Sequence, residues 1–364
     1  TNICIIHKLN YIIKFKGCVS LSNKEYYVTG NTAEGFVNFL PTNVKNFNYV
    51  IILKHPSNTL KTAVLKQIIK QYETAFDLEV LCSTLADKYL AGVIIREKSL
   101  AFVTDKIATP NLLGEIEIDL ELFLDSSDVD SDFAAVNKHT QAAYDSFKTG
   151  LAVHDDLEKI YIDQMDFNKA DEVAEKFIQN LLKGVPEQNR KSYTYRRLFG
   201  TNTSDGAVNI VPSLIHPLKN RYYLKGRAGT GKSHFMKKVM QACQRHGFDI
   251  ELYHCSFDPN SVDMVLVRDL DFCIFDSTDP HEVMPEREED VVIDLYEKTV
   301  TPGTDEKFAN EIERVQHNYK GYMKKGMQEL KNAGMYREEI EQQYTFTNAD
   351  IDRITAFIFE QVLQ

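Results

Sequence analysis

The chain has 364 residues, of which 43% are hydrophobic and 26% charged, and its formal net charge is −11. This length suggests two or three domains, and the composition is ordinary for a soluble globular protein. The negative charge argues against a general nucleic-acid-binding or acidic-membrane surface, although a local basic patch remains open. Six scattered cysteines without a C-x-x-C pair indicate reduced thiols in a cytoplasmic protein rather than a disulfide framework or a zinc site.

The beginning of the chain carries no functional pattern. Residues 3–15 are apolar but interrupted by His7, Lys8 and Lys14, whereas a signal peptide needs a longer apolar core. No run of 18 apolar residues occurs, so we expect no membrane-spanning helix. We treat residues 1–24 as an N-terminal extension of unknown role.

The rest of the chain contains one unit written twice. Asn31–Pro41 recurs as Asn202–Pro212 with six of eleven positions identical, at a constant offset of 171. The same offset carries Lys61 onto Lys232 without a gap. We therefore predict two related domains, 25–183 and 193–364, joined by a polar linker at 184–192 that follows a helix stop.

Each unit has the same predicted order of elements. A strand and a short helix precede a second strand, a loop, a helix, a third strand and two closely spaced apolar runs that could form a hairpin. These runs are Val93–Ile95 and Leu100–Val103 in the first unit, and Val265–Val267 and Phe272–Phe275 in the second. Mostly helical regions, at about 128–183 and 304–364, then close the two units. The pattern predicts an α/β fold, with a mainly parallel sheet and flanking helices in each domain.

The most specific pattern lies in the second unit, where Gly226–Ser233 reads G-R-A-G-T-G-K-S. It fits the phosphate-binding pattern G-x-x-x-x-G-K-[ST], with a strand-like segment before it and helical spacing after it. Glycines let the backbone approach phosphates closely, and the loop N–H groups and the helix N-terminus favour an anion. The predicted nucleotide-binding residues are Gly226, Arg227, Ala228, Gly229, Thr230, Gly231, Lys232, Ser233 and His234.

Chemistry at such a loop needs a cation at the outer phosphates and a carboxylate near Mg²⁺. We predict that Lys232 contacts the β- and γ-phosphates and that Ser233 binds Mg²⁺. Asp276, which ends an apolar strand, is predicted to support the metal. Asp258 is a weaker catalytic candidate, because an acid after a strand is more often an ordinary loop or capping residue. The same alternative applies to Asp263, Asp279 and His281.

The first unit has a degenerate version of this loop. It reads H-P-S-N-T-L-K-T over His55–Thr62. Leu60 stands in the place of Gly231, where a branched side chain makes a positive φ costly, and Pro56 lacks an N–H donor. We interpret this loop as a pseudo-site that preserves the fold. The final Lys-Thr pair is kept, so a weak nucleotide site is the alternative.

Two further positions can be compared between the units. Arg268 has a counterpart in Arg96, which favours a shared structural role over catalysis. Asp276 has Thr104 as its counterpart in the ungapped register, or Asp105 after a slip of one residue.

One tempting pattern is rejected. Asn168–Asp171 reads N-K-A-D, which matches a guanine-reading motif. No apolar strand leads into it, and it aligns with Thr347–Asp350 at the start of an amphipathic helix. We therefore expect Asn168 to be a helix N-cap.

These residues resemble a little-characterised family of bacterial ATPase-like proteins with two tandem P-loop domains. The resemblance rests on the repeated segment before each loop, on Lys225–Ser233, on Tyr253–Ser256 and on Asp276–His281. It covers nearly the whole chain after residue 24, except that the first loop departs from the pattern. It implies binding of ATP or GTP and gives no substrate.

The sequence thus predicts a nucleoside-triphosphate-binding protein, an Mg²⁺-dependent ATPase that uses only the second loop, with ATP or GTP and Mg²⁺ as cofactors. A P-loop kinase acting on a small molecule is one alternative, with Arg314 and Arg337 as candidate lid residues. A non-catalytic, nucleotide-controlled binding module, whose helical regions engage a protein partner, is another. The sequence does not discriminate between ATP and GTP, and it leaves the oligomeric state open.

Overall fold

A computed structural model describes residues 23–125, 132–279 and 282–362. It shows an α/β protein with two six-stranded sheets and helices packed against them, which confirms the predicted α/β class. Most of the N-terminal extension, the start of the first helical region at 128–131, and the candidate His281 lie outside the described residues. Among the residues that are described, the helices lack an apolar stretch long enough to cross a membrane.

The first half is built around one mostly parallel sheet. Its strands are β1 (Lys24–Tyr26), β2 (Thr29–Thr32), β3 (Gly35–Asn38), β4 (Tyr49–Lys54), β5 (Glu79–Cys82), β6 (Leu90–Ile95), β7 (Leu100–Thr104) and β8 (Glu115–Asp119). Its helices are α1 (Leu40–Asn43), α2 (Asn58–Tyr72), α3 (Ala134–Ile162) and α4 (Phe167–Leu181). The sheet order is β1-β5-β6-β7-β4-β8, in which β6 is antiparallel to both neighbours and the other pairs are parallel. Strands β2 and β3 form a separate hairpin.

The second half repeats this topology. Its strands are β9 (Thr194–Leu198), β10 (Gly200–Thr203), β11 (Gly206–Asn209), β12 (Asn220–Lys225), β13 (Ile250–His254), β14 (Val262–Val267), β15 (Phe272–Asp276) and β16 (Val291–Asp294). Its helices are α5 (Val211–Ile215), α6 (Lys232–Arg245), α7 (Leu295–Thr299), α8 (Thr304–Lys307), α9 (Ala309–Glu341) and α10 (Asn348–Phe357), the last followed by a π-helical turn at Ile358–Val362. The order β9-β13-β14-β15-β12-β16 matches the first sheet strand for strand, as a duplicated unit would.

The closely spaced apolar runs of each unit do form antiparallel pairs, β6 with β7 and β14 with β15. Strands β7 and β14 are buried along their whole length. Strands covered on both faces read as continuous apolar runs rather than as alternating ones, which explains their composition.

The two halves meet at the residue that follows β1, which contacts the end of β9, and through their hairpins. Tyr27 and Leu198 exchange two backbone hydrogen bonds, with N···O distances of 3.1 and 2.8 Å. The Asn31 side chain donates to the Asn202 carbonyl at 2.7 Å, and the Asn202 side chain donates to the Asn31 carbonyl at 3.1 Å. Both contacts join residues of matching position in the repeat, so the halves pair as two subunits of a two-fold dimer would.

A buried network of charges holds this junction. Arg197 lies between Glu79 and Glu251, with N···O distances of 3.1 and 3.0 Å. Arg96 pairs with Glu79 and Arg268 with Glu251, each through an Nε–H···O bond of 2.9 Å. Burial would raise the pKa of Glu251, but the arginines hold it at about 2. Arg96 and Arg268 therefore make the same structural contact in each half.

The helices that follow each sheet cross to the other half. Helices α3 and α9 pack antiparallel, with His139 near Glu329 and the ring of His154 5.3 Å from that of Tyr319. Helix α4 then packs on α6 and α7 of the second half, and α10 packs on α2 of the first. Although α4 belongs by sequence to the unit 25–183, it covers the sheet of 193–364, and α10 shows the reverse arrangement.

Candidate phosphate-binding site

The segment Gly226–Gly231 forms a loop that links β12 to α6. Gly229 and Gly231 have φ angles of 72° and 80°, which side chains with a Cβ rarely adopt. A Cβ on Gly226 would lie 2.4 Å from the Thr230 hydroxyl oxygen, so bulk is also excluded there. The structure thus has the predicted order of strand, glycine loop and helix.

The loop presents hydrogen-bond donors and a cation. The N–H groups of Gly229, Gly231 and Lys232 have no acceptor within the described part of the chain. They lie at the start of a 14-residue helix, whose dipole adds positive potential. The Lys232 Nζ donates to the carbonyl oxygens of Gly226 at 3.2 Å and Arg227 at 2.8 Å. An anionic group could be held by these donors.

Two acidic side chains, Asp276 and Asp263, lie near Lys232. The Asp276 carboxylate is 3.6 Å from the Lys232 Nζ, at the end of β15, which is parallel to β12. Asp263 on β14 is buried, and burial together with the charge of Asp276 raises its pKa to about 7. The Ser233 hydroxyl oxygen accepts the Val262 N–H at 2.9 Å. The structure therefore brings Lys232, Ser233 and Asp276 together, and it adds Asp263.

Other predicted residues have different surroundings. Asp258 accepts the Asn260 N–H at 3.0 Å, which is a turn-capping contact, although its charge also acts on Asp263. Arg227 pairs with Asp305 at 3.0 Å. The exposed His234 lies 3.3 Å from the carboxylate of Asp171.

Helix α3 of the first half packs against the second loop, which sequence reasoning missed. A Cβ on Gly229 would lie 2.4 Å from the Glu158 carbonyl oxygen. The Glu158 carboxylate is 3.7 Å from the His154 ring nitrogen. Burial raises the pKa of Glu158, and the charge of Asp155 adds to this while Lys232 opposes it. No local pattern marks Glu158, because it reaches the loop only through the packing of a long helix.

The degenerate loop of the first half is organised differently. Helix α2 begins at Asn58, whereas α6 begins at Lys232, the counterpart of Lys61. An extra helical turn thus replaces the glycine loop. Leu60 lies in this turn with its side chain in the core, and its N–H donates to the Ser57 hydroxyl oxygen at 3.1 Å.

The carboxylate of Glu341, the last residue of α9, binds the N-terminus of α2. It accepts the N–H groups of Asn58 at 2.6 Å and Thr59 at 3.2 Å, and the Ser57 hydroxyl at 2.8 Å. Burial would raise the pKa of Glu341, but these hydrogen bonds outweigh it and lower the pKa. A carboxylate therefore takes the place that an anion would have in the first half.

Lys61 retains a carboxylate partner. Its Nζ lies 2.5 Å from Asp105. In the sheet register, however, Thr104 pairs with Leu53 of β4, just as Asp276 pairs with Leu224 of β12. Thr104 is therefore the counterpart by position, and Asp105 the counterpart by contact.

The N-K-A-D segment lies at the start of α4. Its N-cap is Asp166, whose side chain accepts the Lys169 N–H at 3.1 Å. The prediction of Asn168 as the cap was wrong, because an equally suitable carboxylate precedes it by two residues. Asp171 pairs with Lys238 at 2.6 Å, so its carboxylate already has a cationic partner.

Within the described residues, no group of three or more His, Cys, Asp or Glu side chains is arranged to hold a metal ion. Cys82, Cys243, Cys255 and Cys273 are free thiols. A magnesium ion that arrives with a nucleotide needs fewer protein ligands, since phosphates and water complete its shell. Ser233 and Asp276 are the oxygen donors that fit such an ion.

No protein-family model, curated protein or solved structure matches the chain significantly.

Proposed function

We propose that the second half binds a nucleoside triphosphate together with Mg²⁺ and hydrolyses it, as a P-loop NTPase with ATP as the expected nucleotide. One observation carries this proposal. A glycine loop lies between a strand and a helix, several of its N–H groups have no acceptor among the described residues, and Lys232, Ser233 and Asp276 converge on it. This combination suits a chain of phosphates and a bound magnesium ion.

Each residue has a role that follows from its chemistry. Lys232 would exchange its bonds to the loop carbonyls for bonds to phosphate oxygens. Ser233 would bind Mg²⁺ through its hydroxyl oxygen, and Asp276 would hold water on the metal. The loop N–H groups would stabilise the charge that develops on the phosphates during transfer. Asp258 and Glu158 are the nearby carboxylates that could orient an attacking water.

The assignment to the second loop is tested by calorimetric titration of Mg²⁺-ATP into matched lysine variants. Lys232→Ala should weaken binding about a hundredfold, since it removes a charge-assisted contact to phosphate. Lys61→Ala should stay within about twofold of the wild type, because Glu341 already occupies the first loop. Circular dichroism checks that both variants are folded. Loss of binding in Lys61→Ala alone would overturn the assignment.

A nucleotide-controlled binding module is the second candidate. The contact between Glu158 and Gly229 links the site to the helix pair α3 and α9, so occupancy of the loop could be transmitted to these helices. Phosphate release separates the two functions: steady release without an added acceptor supports an ATPase, and tight binding with no turnover supports the module. The kinase alternative is weaker, because Arg337 is buried next to Glu341, near the first loop.

A further inference from the structure

We propose that residues 163–168 form the nucleoside pocket beside the glycine loop of the second half. These residues connect α3 to α4, the helix that crosses from the first half to the second. The inference rests on the proposed function, since it needs a triphosphate held at Gly226–Ser233. An open groove of about 540 Å³ is lined by residues 163–168 and Thr301.

The groove adjoins the glycine loop. A Cβ on Gly231 would lie 3.4 Å from the terminal methyl of Met165, which lines the groove. The segment is also fixed in place, because the Asp166 N–H donates to the Thr299 carbonyl at 2.7 Å. A second backbone hydrogen bond joins the same two segments, because the Thr301 N–H donates to the Gln164 carbonyl at 3.0 Å. The wall of the groove is therefore anchored beside the loop.

The direction of the groove agrees with a bound triphosphate. Asp276 ends β15, on one side of β12. The groove lies toward β16 and α7, on the opposite side of β12. A triphosphate whose metal-bound end faces Asp276 therefore directs its nucleoside end to this groove.

The side chains of the groove suit a base and a ribose better than a phosphate. Phe167 is 59% exposed, so its ring offers a face for a base to stack on. The amides of Gln164 and Asn168 supply donors and acceptors for the polar edge of a base. The carboxylates of Asp163 and Asp166 repel phosphate but accept hydrogen bonds from ribose hydroxyls.

The test separates the nucleoside from the phosphates by comparing Mg²⁺-ATP with Mg²⁺-tripolyphosphate. Phe167→Ala should weaken ATP binding about tenfold through lost stacking and leave tripolyphosphate within about twofold. Lys232→Ala should lower the affinity for both ligands. Tyr49→Ala, at an exposed aromatic residue of the first sheet, is the matched control and should change neither.

The outcomes distinguish this inference from the proposed function. If Phe167→Ala binds ATP as tightly as the wild type, or if its affinity falls equally for ATP and tripolyphosphate, the groove does not hold the nucleoside. The proposal of a phosphate site at the glycine loop is then unaffected. If the wild-type protein binds neither ATP nor tripolyphosphate, the proposed function and the inference both fail.

Discussion

The two loops that follow β4 and β12 show which features belong to the fold and which to a ligand. Both loops end in a lysine and a hydroxyl residue, and both lysines face an aspartate. In the first loop an extra helical turn and Glu341 satisfy the N–H groups of Asn58 and Thr59. In the second loop the matching region is glycine-rich, and the N–H groups of Gly229, Gly231 and Lys232 find no acceptor among the residues that the structure describes. The lysine contact is therefore part of the fold, whereas the glycines are what a phosphate would require.

The strongest way to break this comparison is to give the second loop the residue of the first. Gly231→Leu places a branched side chain at a φ of 80°, and the resulting strain should remodel the loop. We expect the affinity for Mg²⁺-ATP to fall about a hundredfold in calorimetric titration.

The reverse change is the control for this prediction. Leu60→Gly should create no nucleotide affinity in the first loop, because Glu341 still occupies its donors. To read that loop alone, both Gly231→Leu and Leu60→Gly would be combined in one chain. Tight ATP binding by the double variant would contradict our interpretation of the first loop as a pseudo-site.

A smaller effect is expected from removing the carboxylate that fills the first loop. Glu341→Ala leaves the part-buried N–H groups of Asn58 and Thr59 without their acceptor, which should lower the free energy of unfolding by about 1–3 kcal/mol. Urea denaturation measures this change, and ATP titration should show an unaltered second site. A variant as stable as the wild type would show that the Glu341 contact does not stabilise the fold.

The smallest expected effect is a pH dependence of the stability that Glu341 gives to the first loop. Burial raises the pKa of Glu341 and hydrogen bonds lower it more, so the pKa in the folded protein lies below the unfolded value of about 4.3. Stabilisation from a depressed pKa is complete above the unfolded value and is lost as the pH falls through the folded value.

The stability difference between the wild type and Glu341→Gln should therefore be constant from about pH 5 to 8 and shrink below about pH 4. Urea titrations across this range measure it. A difference that keeps its full size at about pH 3 would show that the charge of Glu341 is not what the loop recognises.

The α/β class and the order of strand, glycine loop and helix could be predicted from the sequence, because each is encoded in a local pattern. The close spacing of two apolar runs in each unit suggested a hairpin without establishing it. It did not predict that α4 and α10 cross between the halves. An amphipathic helix shows which face is buried, but it does not show which sheet that face covers. The contacts of Glu158 and Glu341 with the two loops were missed for the same reason, since both depend on how the long helices α3 and α9 pack.

The crossing of helices has a consequence for the order in which the chain can fold during synthesis. The apolar face of α2, with Leu65 and Ile68, is covered by Ile354 and Ile358, which are synthesised almost three hundred residues later. The first sheet can therefore form early on the ribosome, but it stays incompletely covered until α10 emerges. Exposed apolar surface on nascent chains favours aggregation and chaperone binding. The first half therefore depends on the second to cover its apolar surface, independently of any ligand.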